Sequence, residues 1–497
     1  MKDNIRYSVI VNMIRTVTLT ILSFISFPFA CRALGDAGMG VYTWANTFVY
    51  YFLTLAKLGI PSIAIRECTK VRDQPALFNK KVQEFFIMQA VLTIISFVFM
   101  VSTMGIFQGE LWAHKELIFL LSTNFLVGAF SFEWVFIALE KHYFMSFRSI
   151  FSLLISALMI LLFIRIPDKS GNPTYEQQIY LYAFFTCLVT YITVLINLIF
   201  IRKYVSFKKE GKYSFRPYIR PLLVIFSISF MLTLYNQNDS FVLGILNKDK
   251  TEVGSYSVGI KAIEIIIAII TSLSAVFIPR ATHYYKMENK VFFQNLTNYS
   301  MNICFFIALP AIATLTTLSP TVTSLMAGSD GYVNASTTLA IVASMCFTFS
   351  LGDMIYNAIL LPMGKEKYYL ITISIGMVLN LGLSILLGWL FRDNPSIGVA
   401  IATAVVDLLI LILLLIITRK YATKAVFNLN NLKILVASIL VAVASYFLDH
   451  YLPYEGFVDL ILILCIDAFL YLGLLILLQE KLVTSFIRKD RKEKKKG

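Results

Sequence analysis

The chain has 497 residues, 58% of them hydrophobic and 14% charged, with a mean hydropathy of +0.75. That composition excludes a soluble globular protein and predicts an all-α polytopic membrane protein. The net charge of +14 does not point to nucleic acid, because the lysines and arginines gather in alternate short loops, as the positive-inside rule describes.

Apolar runs long enough to cross about 30 Å of hydrocarbon fall at 9–34, 40–62, 82–107, 116–139, 148–166, 178–201, 220–246, 253–279, 293–319, 335–361, 368–390, 397–418, 432–449 and 457–478. They amount to about fourteen transmembrane helices. Basic clusters at Arg66–Lys81, Arg202–Arg220, Arg280–Lys290, Arg419–Lys433 and in the tail 481–497 share one side. Both termini are therefore expected to be cytoplasmic. Ala30-Cys31 superficially suggests a cleavage site, but the apolar run before it is too long for a signal peptide and leads straight into a second span.

The first two runs read as a hairpin turning at Asp36-Ala37-Gly38-Met39-Gly40, with Arg15 and Lys57 each 21 residues from Asp36. Equal distance along two helices means equal depth, so the two cations are predicted to face each other. A cation within the membrane costs about 2.5–3.5 kcal/mol on insertion scales, which makes it a functional candidate by default. The fourth run carries Asn124 and Glu133, the tenth Asp353 and Asn357, the eleventh Asn380, the twelfth Asp407 and the fourteenth Asp467. These have no evident partner in the sequence, and each is either a relay site or a packing hydrogen bond.

The stretch 202–219, with Lys208-Lys209-Glu210-Gly211-Lys212, reads as a cytoplasmic linker. It divides an N-lobe of six spans (1–201) from a C-lobe of six (220–418), followed by two further spans (419–480) and a basic tail (481–497). Gly40-Val41-Tyr42 recurs as Gly254-Ser255-Tyr256, the internal echo expected of a transporter built from repeats. In the seventh and eighth runs Asp239 and Lys261 are each 11 residues from Lys250, and Glu264 lies one helical turn after Lys261. One reading gathers Arg15, Lys57, Asp239, Lys261 and Glu264 around a cavity. The other pairs Asp239 with Lys261 and lets Arg15 and Lys57 snorkel to the cytoplasmic surface. Tyr42, Asn46, Tyr235 and Asn236 are of the type that lines a sugar site. Six scattered cysteines and four histidines form no metal-binding or disulfide pattern, no phosphate-binding glycine loop is present, and no cofactor or enzymatic activity is expected.

The chain resembles the polysaccharide-transporter branch of the multidrug/oligosaccharidyl-lipid/polysaccharide (MOP) exporter superfamily, the flippases of lipid-linked oligosaccharides. The resemblance rests on Pro28-x-x-x-Arg32-x-Leu34-Gly35-x-x-Gly38-x-Gly40-x-Tyr42, Leu58-Gly59-Ile60-Pro61 with Arg66-Glu67, and Glu133-Trp134-Val135-Phe136-x-Ala138-Leu139-Glu140-Lys141 running into Arg148. Asp239 to Tyr256, Pro279-Arg280 and Leu361-Pro362-x-Gly364-Lys365 extend it. It implies two six-helix lobes with two C-terminal helices, alternating access, and a substrate of oligosaccharide on undecaprenyl diphosphate, moved across the bacterial cytoplasmic membrane for surface polysaccharide assembly. It further implies that Arg15, Lys57 and Lys261 hold the diphosphate, and that membrane lipids and polysaccharide polymerase or assembly proteins are partners. Asp239 and Glu264 are the candidates for ion coupling. The alternatives are a multidrug cation antiporter of the same superfamily and, from another class, a membrane glycan polymerase or ligase.

Overall fold

The computed structural model describes residues 2–107, 109–166, 174–209, 211–328, 331–451 and 456–484, with side chains from Ile14 onward except at Ile228. The basic tail beyond Thr484, residues 167–173, and Ser329 and Asp330 lie outside the described residues. The described elements are helices: α1 Lys2–Lys57, α2 Ile60–Lys70, α3 Pro75–Ile106, α4 Glu110–Ala113, α5 Lys115–Gly128, α6 Glu133–Ala138, α7 His142–Phe163, α8 Tyr175–Ile201 and α9 Arg216–Leu246 come first. Then follow α10 Thr251–Lys286, α11 Lys290–Thr317, α12 Ser319–Ala327, α13 Ala335–Val342, α14 Met345–Ile355 with a π-helical turn Tyr356–Leu360, α15 Glu366–Leu390, α16 Pro395–Ile417, α17 Arg419–Val426, α18 Leu429–Tyr451 and α19 Phe457–Leu477.

Among the described residues, thirteen segments are long and apolar enough to cross a membrane, and the first, Ile14–Lys70, has 57 residues. At about 1.5 Å per residue it is far too long for one pass. It breaks at Gly35 (φ 68, ψ 176), a conformation that only glycine adopts readily. Two passes there bring the crossings to fourteen. The reversal is sharper than the turn expected over Asp36–Gly40, because Gly35 alone leaves the helix and those five residues are already helical. Asp36 sits at the start of the second pass, where a carboxylate complements the helix dipole. A second left-handed pair, Leu58 (φ 40) and Gly59 (φ 71), ends α1 at Lys57.

Two compact units divide the chain, Met1–Gly254 and Ser255–Gly497. In the first, α1 packs along α3, α5, α7, α8 and α9. The 202–219 stretch is anchored on α3: the Gln83 amide donates to the Ser206 and Lys208 carbonyls (2.9 and 2.7 Å), Glu84 accepts from the Ser214 amide (2.9 Å) and Asn79 from the Ser206 amide (3.1 Å). Two of the glycines in the repeated motif make reciprocal contacts. A Cβ added to Gly40 would stand 1.8 Å from the Lys250 carbonyl oxygen, and one added to Gly254 2.1 Å from that of Asp36.

In the second unit α15 lies along α16, and α11 packs on α14, α17 and α18, with α19 on α18. Several polar groups that the sequence left without partners find them here. Asn357 donates to Asp353 (3.0 Å) and to Ser274 (2.8 Å), whose hydroxyl also binds Asp353. Asn380 donates to Thr403 (3.0 Å), and Asp467, buried against α18, accepts from Ser445 (2.5 Å).

Candidate functional site

A cavity of about 550 Å³ lies within the first unit, walled by α1, α3, α5, α6 and α8. Its charged lining is Lys57 and Glu133; amides come from Asn46, Gln89 and Asn124, hydroxyls from Thr186, Thr190 and Thr193. Tyr42, Tyr50 and Trp134 add rings with polar edges. Such walls combine hydrogen-bonding groups with flat apolar faces, the pairing that sugar rings require. Thr186, Thr190 and Thr193 follow a helical stripe along the mostly apolar middle of α8, a pattern visible in the sequence that the candidate residues did not include.

Lys57 closes the last turn of α1, where the partial negative charge of a helix C-terminus lowers the cost of a cation. It is open to the cavity. Both Lys57 and Arg15 lie roughly 30 Å of helix from Gly35. The structure adds an ion pair: Arg148 on α7 donates from Nη2 to Glu133 Oε1 at 2.9 Å. Glu133 and Lys57 attract each other, and the charges of Arg15 and Arg148 are close enough to interact repulsively. Glu133, without an evident partner in the sequence, therefore pairs with Arg148 and attracts Lys57.

The backbone explains how Glu133 reaches that place. The fourth span is broken between α5 and α6, and Phe132 takes a left-handed conformation (φ 47) just before Glu133. A broken helix in a membrane exposes carbonyls that must be satisfied inside the protein. The Asn197 side-chain amide donates to the Ser131 carbonyl, and its Oδ1 accepts from Arg148 Nη1 at 2.8 Å. One asparagine on α8 thus fixes both the break and the guanidinium.

The other predicted site residues lie elsewhere. Tyr235 and Asp239 are buried on α9 and Asn236 is exposed there; none of the three lines the cavity. In the second unit Lys261 and Glu264 form an ion pair at 2.6 Å.

The sequence profile described as polysaccharide biosynthesis protein matches residues 5–285, and that described as MatE matches residues 225–386. No curated protein sequence matches the chain. Among solved structures, the lipid II flippase MurJ in an inward closed conformation is similar with a TM-score of 0.59 at 16% identity, covering 97% of this chain and 99% of that one. An inward-facing multidrug resistance MATE family transporter of the MOP superfamily gives 0.61 at 17% identity, covering 82% and 95%. A MOP superfamily transporter from Pyrococcus furiosus, described by the reverse polarity of its binding pocket, gives 0.56 at 16% identity, covering 85% and 96%. At these identities the likeness establishes the fold.

Proposed function

Because the chain belongs to the polysaccharide biosynthesis protein family of the MOP superfamily, we propose that it is a flippase carrying oligosaccharide on undecaprenyl diphosphate across the bacterial cytoplasmic membrane, with both termini inside. The observation that carries this reading is the first-unit cavity. Its one lining cation among the described residues, Lys57, sits among amides, hydroxyls and aromatic rings, a match for an anionic phosphate bearing sugars. An exporter of organic cations would place acidic groups alone in that position. Lys57 holds phosphate as a point charge rather than by a bidentate fork, and Tyr42 and Asn46 bind sugar hydroxyls. The polyprenyl tail stays in lipid.

Purified full-length protein in proteoliposomes carrying a labelled undecaprenyl-diphosphate oligosaccharide tests the reading. The wild type should move the label between leaflets, and Lys57→Ala should slow that movement at least about tenfold, the loss of about 1.4 kcal/mol of interaction. Efflux of an organic cation such as ethidium without movement of the lipid-linked sugar would replace this reading with the antiporter one.

A further inference from the structure

Arg148 and Glu133 are more than a surface pair. Arg148 is 2% exposed and Glu133 43% exposed, so a guanidinium buried in a membrane span has its counter-ion on the cavity wall. Arg148 uses Nη1 on Asn197 and Nη2 on Glu133 and, at 3.3 Å, Ser149. Among the described residues its Nε is buried with no partner, and so is the Nε of Arg15. Two guanidiniums near enough to repel each other each keep an unused, buried donor. A buried donor left unmade is costly, and more so when charged.

The charges tell the same story. Arg148 and Lys57 share a single carboxylate, Glu133, while the charge of Arg15 acts on Arg148, so the described residues of this cluster carry a positive surplus. Glu133 lines the cavity with Lys57 while its other side holds Arg148. A carboxylate and a phosphate present similar oxygens to a guanidinium, and phosphate forms bidentate pairs as well. The position Glu133 occupies is therefore one that a phosphate oxyanion can take.

We propose that Glu133 is an exchangeable counter-ion: phosphate groups of a lipid-linked diphosphate displace it from Arg148 and Lys57, and its return on the same cations expels them. This rests on the flippase reading and adds to it two residues and a release step. Arg148 is the anion's buried anchor, Asn197 its positioning residue, and Glu133 the competitor that keeps binding reversible. No covalent step is involved, only exchange of one anion for another on fixed cations.

Full-length protein in nanodiscs, titrated with undecaprenyl diphosphate, separates this from a structural salt bridge. Glu133→Gln removes the competitor, so the probe should bind about tenfold more tightly while leaflet-to-leaflet transport becomes slower. Arg148→Gln should bind about tenfold more weakly, and the double variant should behave like Arg148→Gln. Should Glu133→Gln not fold, Glu133→Asp keeps the charge but withdraws it, and tighter binding with slower release is again expected. Wild-type binding of the probe combined with unchanged or weaker binding by the Glu133 variants overturns the exchange alone. A wild type that binds no undecaprenyl diphosphate overturns the substrate reading with it.

Discussion

Lys250 shows how one residue can hold several elements. It is 1% exposed and left-handed (φ 60), and its ammonium binds Glu110 at 2.9 Å and the Gly244 carbonyl at 2.5 Å, 4.8 Å from the Trp44 ring centre. The sequence read it as a turn residue marking equal distances, since nothing local distinguishes a buried lysine from a solvated one between two spans. Its hydrogen bond and charge hold the Glu110 carboxyl below its ordinary range. Burial pushes the neighbouring His114 imidazole down. A carboxylate depressed in the folded state stabilises at pH values above its unfolded value, about 4.3, and loses that contribution as pH falls through the lower folded value. Glu110 is 50% exposed, so solvent screening keeps the effect small. The melting temperature of the wild type should therefore fall as the pH drops below the ordinary carboxylate range, and that of Glu110→Gln should be flatter over the same window. Parallel curves would show that the pair contributes nothing.

Among the helices, the reciprocal glycine contacts give the repeated motif a physical meaning. Gly40 meets the carbonyl of Lys250, four residues before Gly254, and Gly254 meets that of Asp36, four residues before Gly40. Glycine is required at both positions because backbone lies where a side chain would begin. Alanine at either should destabilise by about 1–3 kcal/mol through overpacking against groups that cannot rotate away. Gly382, with open space around its Cα, is the control, and Gly382→Ala should be neutral or stabilising. Thermal unfolding of the three variants in detergent decides it, and equal effects at all three sites would remove the packing argument. The echo itself was legible, since it is a pattern of letters; its partners were not, because each lies more than 200 residues away. The break in the fourth span was hidden for a different reason. Residues 125–130, Phe-Leu-Val-Gly-Ala-Phe, are as apolar as any continuous helix, and only the Asn197 amide on α8 shows where the backbone opens.

For the whole molecule, fourteen crossings could be read from hydropathy because the bilayer imposes the length of each run, whereas a cavity walled by several elements has no signature in any one of them. The alternating clusters of basic residues predict orientation, and the proposed transport draws on an ion gradient or on substrate removal. The two coupling candidates differ in their surroundings. Glu264, ion-paired with Lys261 at 2.6 Å within the second unit, keeps its side chain 48% exposed. Asp239 is buried on α9, where its charge bears on Tyr51 of α1. A buried carboxylate is more costly to keep ionised than a half-exposed one, which favours Asp239 as the group that takes up a proton or sodium ion. Asp239→Asn should therefore abolish the acceleration of transport by an imposed proton or sodium gradient while leaving slow downhill movement, and Glu264→Gln should keep the acceleration. Proteoliposomes with each gradient applied separately measure both variants in one assay. A gradient response retained in Asp239→Asn and lost in Glu264→Gln would move the coupling role to the second unit, and a response retained in both would exclude the two carboxylates together.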